Sequence, residues 1–309
     1  MSTSVHTYDP YKHCELCPRK CGVDRTVNTG FCGVGDRIRA ARAALHMWEE
    51  PCISGSKGSG TVFFSGCNLG CVYCQNLVIS KERVGKEITT DRLVEIYFEL
   101  EEKEANNINL VTGDIYIPTI RESIITAHRC GFKIPFLLNT SSYIGKDSLK
   151  SLDGLIDIYL ADMKYIRDED AKRFSNAPGY VDACKTAIGE MVRQQPECIY
   201  EQVGGEPDPI MKKGVIVRHL LLPGMLIQAK MILHYLHEKY GNDICVSLLG
   251  QYTPNGKLTD HPEIDRKVSE REYRSLVEYA ASIGITHGYM QSGESADMCF
   301  LPDFNGEGI

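Results

Sequence analysis

Three cysteines, Cys67, Cys71 and Cys74, stand within eight residues in the segment SGCNLGCVYCQN. Thiolates at that CxxxCxxC spacing can hold three corners of a cubane iron–sulfur cluster. No fourth cysteine lies nearby, so one iron is left without a protein ligand, whereas an electron-carrying ferredoxin supplies all four thiolates. An open iron invites a small chelating molecule. Two plainer readings are weaker. Zinc hairpins favour Cys-x2-4-Cys pairs completed by a second pair, and a disulfide framework lacks any other sign of secretion.

A second group lies upstream. HCELCPRKCGVDRTVNTGFCG places Cys14, Cys17, Cys21 and Cys32 within nineteen residues, interleaved with Gly22, Gly30 and Gly33. Four thiolates can enclose a metal completely, as structural and electron-relay centres do. Zinc and a second [4Fe-4S] cluster both suit the set, and the compact Cys-x2-Cys-x3-Cys run leans toward the cluster. An arm of some fifty residues with little apolar content needs such a staple to order itself.

These groups need a scaffold. The run TVFFS before Cys67 reads as a buried strand over 61–65, and five more apolar runs follow, at Ile108–Val111, Pro135–Leu138, Ile156–Leu160, Val215–Leu222 and Ile244–Leu249. Helix-period stripes alternate with them, through Leu93/Ile96/Tyr97/Leu100, Ile117/Ile120/Ile124/Ala127, Ala229/Ile232/Leu233/Leu236 and Tyr273/Leu276/Val277/Ala280. Ser269 and Glu272 form a capping box before the last stripe. Strand and helix in alternation predict a parallel sheet with helices outside. Six units are too few for a closed eight-stranded barrel, so an open partial barrel is expected. Ligands in such folds sit at the C-terminal strand ends.

The polar residues at those ends are therefore candidates: Thr112-Gly113-Asp114 after the second strand, and Asn139, Thr140, Ser141 and Ser142 after the third. Asp162 and Lys164 follow the fourth. Alternation puts these two on one face, where the carboxylate suits ribose hydroxyls and the ammonium a carboxylate. Arg218 is a charge inside the apolar fifth strand, GVIVRHLLLPG, which is rare without a partner, and it is expected to point into the barrel toward a bound ligand. His219 would then face the helices as a core histidine. GGEP at Gly204–Pro207 precedes the fifth strand, the wrong end for a ligand, and reads as a structural turn.

At 309 residues and 34.5 kDa, with 43% hydrophobic and 24% charged residues, the composition is that of an ordinary globular protein. A net charge of −7 and the lack of a basic stripe argue against a nucleic-acid partner. The longest apolar stretch is broken by Pro223 and Gly224, which argues against a membrane span, and the N-terminus lacks the apolar core of a signal peptide. Thirteen cysteines, an odd number, fit thiolate ligands in a reducing cytoplasm better than disulfides.

The CxxxCxxC motif with Tyr73 before its last cysteine, set after a β-strand, resembles the signature of the radical S-adenosylmethionine (SAM) superfamily. That resemblance implies a partial (β/α)6 barrel (residues 54–309, with a C-terminal extension) behind a cysteine-rich metal-binding module (residues 1–53). It also implies a [4Fe-4S] cluster on Cys67, Cys71 and Cys74, and SAM bound by Tyr73, Asn76, Thr112, Gly113, Asp114, Asn139, Thr140, Asp162, Lys164 and Arg218. The superfamily usually has a GGEP-like turn after the second strand to bind the SAM amino group; Thr112-Gly113-Asp114 stands there instead.

Over about residues 60–255 the chain further resembles the pyruvate formate-lyase activating enzymes. The matching residues are Tyr73, the turn Asn139–Ser142, Asp162-Met163-Lys164, and Val217-Arg218 through Pro223-Gly224. The Asp that begins this turn in those enzymes helps hold a cation near the SAM carboxylate; Asn139 takes its place here. CxLCPRxC, FFSGCN, IVRHLLLPG and SLLGQY together resemble an uncharacterised branch related to that group. The implied activity is reductive cleavage of SAM to a 5′-deoxyadenosyl radical, with hydrogen abstraction from a glycine of a glycyl-radical protein and a flavodoxin- or ferredoxin-type donor of low potential. Radical modification of a peptide or small molecule is the alternative enzyme, and a two-centre electron-transfer protein the non-enzyme alternative.

Overall fold

Parallel strands covered on both faces read as unbroken apolar runs, and the computed structural model, which describes residues 9–291 and 302–309, builds its core from such runs. Among the described residues ten strands form one sheet system: β1 (Ile38–His46), β2 (Ser59–Phe64), β3 (Lys86–Ile88), β4 (Ile108–Val111), β5 (Phe136–Thr140), β6 (Ile158–Asp162), β7 (Ile199–Glu201), β8 (Ile210–Leu220), β9 (Cys245–Leu249) and β10 (Gly288–Gln291). The order is β10-β9-β8-β6-β5-β4-β2-β1-β3, with β7 beside β8. From β2 to β10 every neighbouring pair on this path is parallel. Every residue of β2, β4 and β5 is buried. The fold is α/β, a partial barrel, as the alternation predicts.

All six expected strands form, and β10 adds a seventh parallel one. It is only four residues long, with alternating partial exposure, so it presents no apolar run to read. The four predicted helices lie at Thr90–Glu102, Ile117–Arg129, Leu226–Tyr240 and Glu270–Ser282. Thr89 caps the first through Arg92 N, and the Ser269/Glu272 box caps the last. Tyr180–Gln194 is a further long helix. No helix among the described residues is long and apolar enough to cross a membrane.

The boundary expected at residue 53 falls inside a plug. Strand β1 pairs antiparallel with β2 and β3 and so already belongs to the central sheet. From β1 the chain turns into the barrel floor as the short helix Pro51–Ser54, where Cys52 and Ile53 pack against Leu137, Ile158, Leu160 and Ile216. Asn107 Nδ2 donates to Ile53 O at 2.9 Å and Asn106 Nδ2 to Ser54 O at 2.7 Å. The glycine-serine stretch 54–60 thus runs from this plug into β2. Glu206, in the GGEP turn, accepts from Ser56 N at 2.7 Å and Ser56 Oγ at 2.8 Å, fastening the plug from below.

Residues 9–37 form the cysteine-rich module, which packs on loops at the C-terminal strand ends. Arg25, 2% exposed, donates to Ile115 O at 2.6 Å and Gly35 O at 2.5 Å, and Gly145 N donates to Leu16 O at 2.9 Å. The tail extends the sheet at β1: Ala43 N donates to Glu307 O at 2.8 Å and Gly306 N to Ala41 O at 3.0 Å, while Arg42 pairs with Glu307 at 2.7 Å. Among the remaining cysteines, Cys184 and Cys245 are buried and Cys130 is exposed. Cys130 follows the last turn of the helix Ile117–Arg129, on the solvent side. Cys299 lies outside the described residues.

Candidate active site

A cavity of about 760 Å³ opens at the C-terminal strand ends, within the range of small-molecule sites. Cys67, Cys71 and Cys74 line it together with Tyr73, Asn76, Thr112, Asn139, Thr140, Asp162, Lys164 and Arg218. Strand pairing explains the gathering. Asp162 and Arg218 are directly in register across β6 and β8, so their side chains share the interior face, and Asn139 of β5 faces the same way.

Arg218 is the hub. Its Nε donates to Asp162 Oδ1 at 2.9 Å, its Nη2 to Asn139 Oδ1 at 2.6 Å and its Nη1 to Glu49 Oε2 at 3.1 Å. Lys164 Nζ reaches Asp162 Oδ2 at 2.6 Å. Burial alone would push the Asp162 carboxyl up, but the charges of Lys164 and Arg218 hold it below the usual carboxylate range. Burial likewise disfavours charge on Lys164, and Asp162 overcomes it, so the ammonium is held more firmly than usual. An ionised triad results. Lys164 keeps donors beyond the one given to Asp162, and Asp162 keeps acceptor sites beyond the two in use.

Two participants were not foreseen. Glu49, from the plug, accepts from Asn109 Nδ2 at 3.0 Å and Asn139 Nδ2 at 3.2 Å as well as from Arg218. A carboxylate thus stands beside Asn139 after all, supplied by the β1–β2 connection rather than by the third strand of the parallel run. Asn109 is a polar side chain inside the buried strand INLV, and that burial was a readable signal. Glu49 offered less: only two adjacent acids before Pro51.

Gly113 and Asp114 are placed elsewhere. Thr112, in the left-handed region at φ 60°, lines the cavity and turns the chain into a short 3₁₀ helix behind the wall. Asp114 is 1% exposed and turned toward Thr140 and the Ser141 backbone, whose weak hydrogen bonds only partly offset its burial. Burial pushes its carboxyl up to about 7. His219 is buried, with Nδ1 2.8 Å from Met163 O, and burial lowers it to about 4. It does not line the cavity.

The surroundings of the three thiols suit thiolate ligands. Ser175 Oγ donates to Cys71 Sγ at 2.9 Å, Leu69 N–H points at Cys67 Sγ at 3.4 Å, and Ser80 Oγ lies 3.4 Å from Cys74 Sγ. Burial raises the Cys71 thiol, while the charge of Lys164 opposes that rise. Tyr73 is bonded to Tyr165, and Tyr165 to Ser175, which braces the donor to Cys71. Among the described residues no three His, Cys, Asp or Glu side chains close on a single-ion site. A cubane requires separate corners rather than one shared point, and three thiols with hydrogen-bond donors at one cavity meet that requirement.

In the upstream group Cys14 and Cys32 are buried, Cys17 is partly exposed and Cys21 is exposed. Burial pushes the Cys17 thiol up to about 11, and Cys14, Cys32 and Cys21 add to the rise, so the four thiols are within electrostatic reach of one another without converging on a single-ion site.

Comparison with known proteins agrees with this architecture. The family model described as the radical SAM superfamily matches residues 61–219, just over half of the chain. An uncharacterised protein of Methanocaldococcus jannaschii is 27% identical over 277 residues, covering 87% of this chain and three quarters (75%) of its own. Among solved structures, SuiB of Streptococcus suis is similar with a TM-score of 0.50 at 11% identity, over 76% of this chain and 48% of its own, a likeness of fold alone. This chain therefore spans just under half the length of SuiB. A domain of a pyruvate-formate lyase-activating enzyme from Bacteroides vulgatus is more distant, with a TM-score of 0.41 at 12% identity over 57% of this chain and 92% of the domain.

Proposed function

The chain belongs to the radical SAM superfamily, and from that premise we propose that it is an enzyme whose Cys67, Cys71 and Cys74 hold a [4Fe-4S] cluster and whose strand-end residues bind SAM. The observation that carries this reading is the convergence of three thiols, the Lys164 ammonium and the Asp162/Arg218 pair on one cavity. When bound, the cluster supplies the electron that splits SAM into methionine and a 5′-deoxyadenosyl radical.

This chain's own residues do the positioning. Lys164, with donors to spare, takes the methionine carboxylate. Asp162, fixed from both sides by Arg218 and Lys164, offers its remaining acceptor sites to ribose hydroxyls. Thr112, Thr140 and Asn76 supply neutral polar groups on the wall, and Tyr73 closes it beside Cys74. Glu49 and Asn139 hold Arg218 so that its charge stays on Asp162. Asp114, behind the wall, supports the turn rather than touching ligand. The N-terminal cysteines hold a second metal centre, and a low-potential flavodoxin- or ferredoxin-type protein in the cytoplasm supplies electrons.

The hydrogen donor is a glycine of a partner protein. Likeness to the activating enzymes in Asp162-Met163-Lys164 and in the Arg218 strand supports this choice. To test it, reduced reconstituted enzyme and SAM are incubated with candidate glycyl-radical proteins, and a doublet signal is sought by electron paramagnetic resonance. No doublet in any of them, with SAM still cleaved, transfers the reading to a peptide or small-molecule substrate.

A further inference from the structure

The two cysteine groups abut. Gly66, immediately before Cys67, has φ +90°, and a Cβ there would lie 3.0 Å from Cys32 O and 2.8 Å from Val34 Cγ1. The backbone of the N-terminal module is thus packed against the loop that presents Cys67, with only a glycine fitting between. A module serving merely as a structural staple could sit anywhere on the barrel. This one is pressed against the catalytic loop.

A shared charge joins the same two places. Arg19 Nε donates to Asn68 O, one residue after Cys67, at 2.6 Å, and its Nη2 donates to Asn176 O at 2.5 Å. Its guanidinium lies 3.3 Å over the Phe31 ring. On the far side of the module Arg25, buried, brings Nη1 to 3.9 Å from Cys14 Sγ. At Gly30 a Cβ would lie 2.9 Å from Cys21 Sγ and 3.9 Å from Cys32 Sγ, so only glycine leaves those thiols their space. Cys21 is exposed, and Val27 and Phe31 of the module are 75% and 42% exposed. The group therefore runs from the surface to the catalytic loop.

We propose that Cys14, Cys17, Cys21 and Cys32 hold an iron–sulfur centre that relays electrons to the centre on Cys67, Cys71 and Cys74, and that Arg19 is a positioning residue whose charge tunes both. The inference rests on the reading of Cys67, Cys71 and Cys74 as cluster ligands. One electron leaves a reduced one-electron carrier, a flavin or iron–sulfur protein, which is oxidised by one unit. It enters at the four-thiolate centre and passes across the Cys32–Gly66 contact; no bond forms or breaks and no proton moves. Zinc has no redox chemistry and could not serve.

The test is an anaerobic redox titration of the full chain followed by electron paramagnetic resonance, with metal analysis. Wild type should hold about eight irons, the content of two cubanes, and show two reduced signals broadened by each other. The Cys67/Cys71/Cys74 triple alanine variant should keep about four irons and one unbroadened signal. Arg19→Gln, at full iron content, should shift both midpoint potentials downward, because the reduced centres lose a stabilising positive charge, and Arg19→Lys should restore part of the shift. Zinc or no metal in the triple variant overturns the relay, as do unmoved potentials in Arg19→Gln. Failure of the parent reading looks different: the triple variant would then keep the whole iron content of wild type.

Discussion

Arg218 divides its hydrogen bonds among Asp162, Glu49 and Asn139, so removing it takes a cation from each of two carboxylates in a mostly enclosed place and leaves Asp162 with Lys164 alone. Arg218→Ala should lower the unfolding free energy by about 3–5 kcal/mol in chemical denaturation, the scale of breaking one side of a buried ion pair. Lys164→Ala should instead act on ligand, weakening SAM binding by roughly 1–3 kcal/mol in calorimetry of reconstituted protein, the scale of a lost charged hydrogen bond. Glu206→Ala should leave that binding unchanged, since Glu206 serves Ser56 at the other end of β8. The opposite ranking would show the SAM pocket to be misplaced. Asp114 gives a pH test. Its folded-state value, about 7, lies above the ordinary aspartate value of 3.8, so the native state holds a proton that the unfolded chain has released, and stability falls from about pH 4 to pH 7 and is level above. Asp114→Asn lacks that slope, and between pH 5 and pH 8 its stability relative to wild type should improve by roughly 3 kcal/mol. No change in the difference would mean that the carboxyl titrates normally. Alternation at a strand end made Asp162 and Lys164 legible in the sequence, position after a strand did so for Asn139, and a charge inside an apolar run did so for Arg218. Glu49 was not, because it reaches the site from a connection whose path into the barrel depends on tertiary packing. Nor could the sequence tell that Thr112 would turn toward the cavity while Asp114 turned away, a choice made by one left-handed residue.

At the scale of elements, four of the five long helices and six of the seven parallel strands among the described residues were legible because burial on both faces leaves apolar runs and stripes. Strand β1, IRAARAALH, was not: two arginines interrupt it, and they are tolerated because the tail and β3 neutralise them. Arg42 pairs with Glu307, and Arg39 with Glu87. The tail's grip on β1 depends on a glycine, since at Gly308 (φ +74°) a Cβ would lie 2.1 Å from Ala43 O. Gly308→Ala should detach the last residues and cost about 1–2 kcal/mol, read as a lowered thermal midpoint together with faster carboxypeptidase trimming. An unchanged midpoint and unchanged trimming would mean that the tail contributes nothing to β1.

At the scale of the whole molecule, two cysteine groups, an ionised triad and a cavity lie at the same end of a partial barrel. The proposed function turns on the three thiols in that cavity making SAM reactive. The most direct measurement is SAM cleavage by anaerobically reconstituted, strongly reduced protein, comparing wild type with Cys67→Ala, Cys71→Ala and Cys74→Ala. Wild type should release 5′-deoxyadenosine and methionine, and each variant should lose that turnover because the cubane loses a corner. Undiminished release from any one of the three variants, or none from iron-loaded wild type, would contradict the claim.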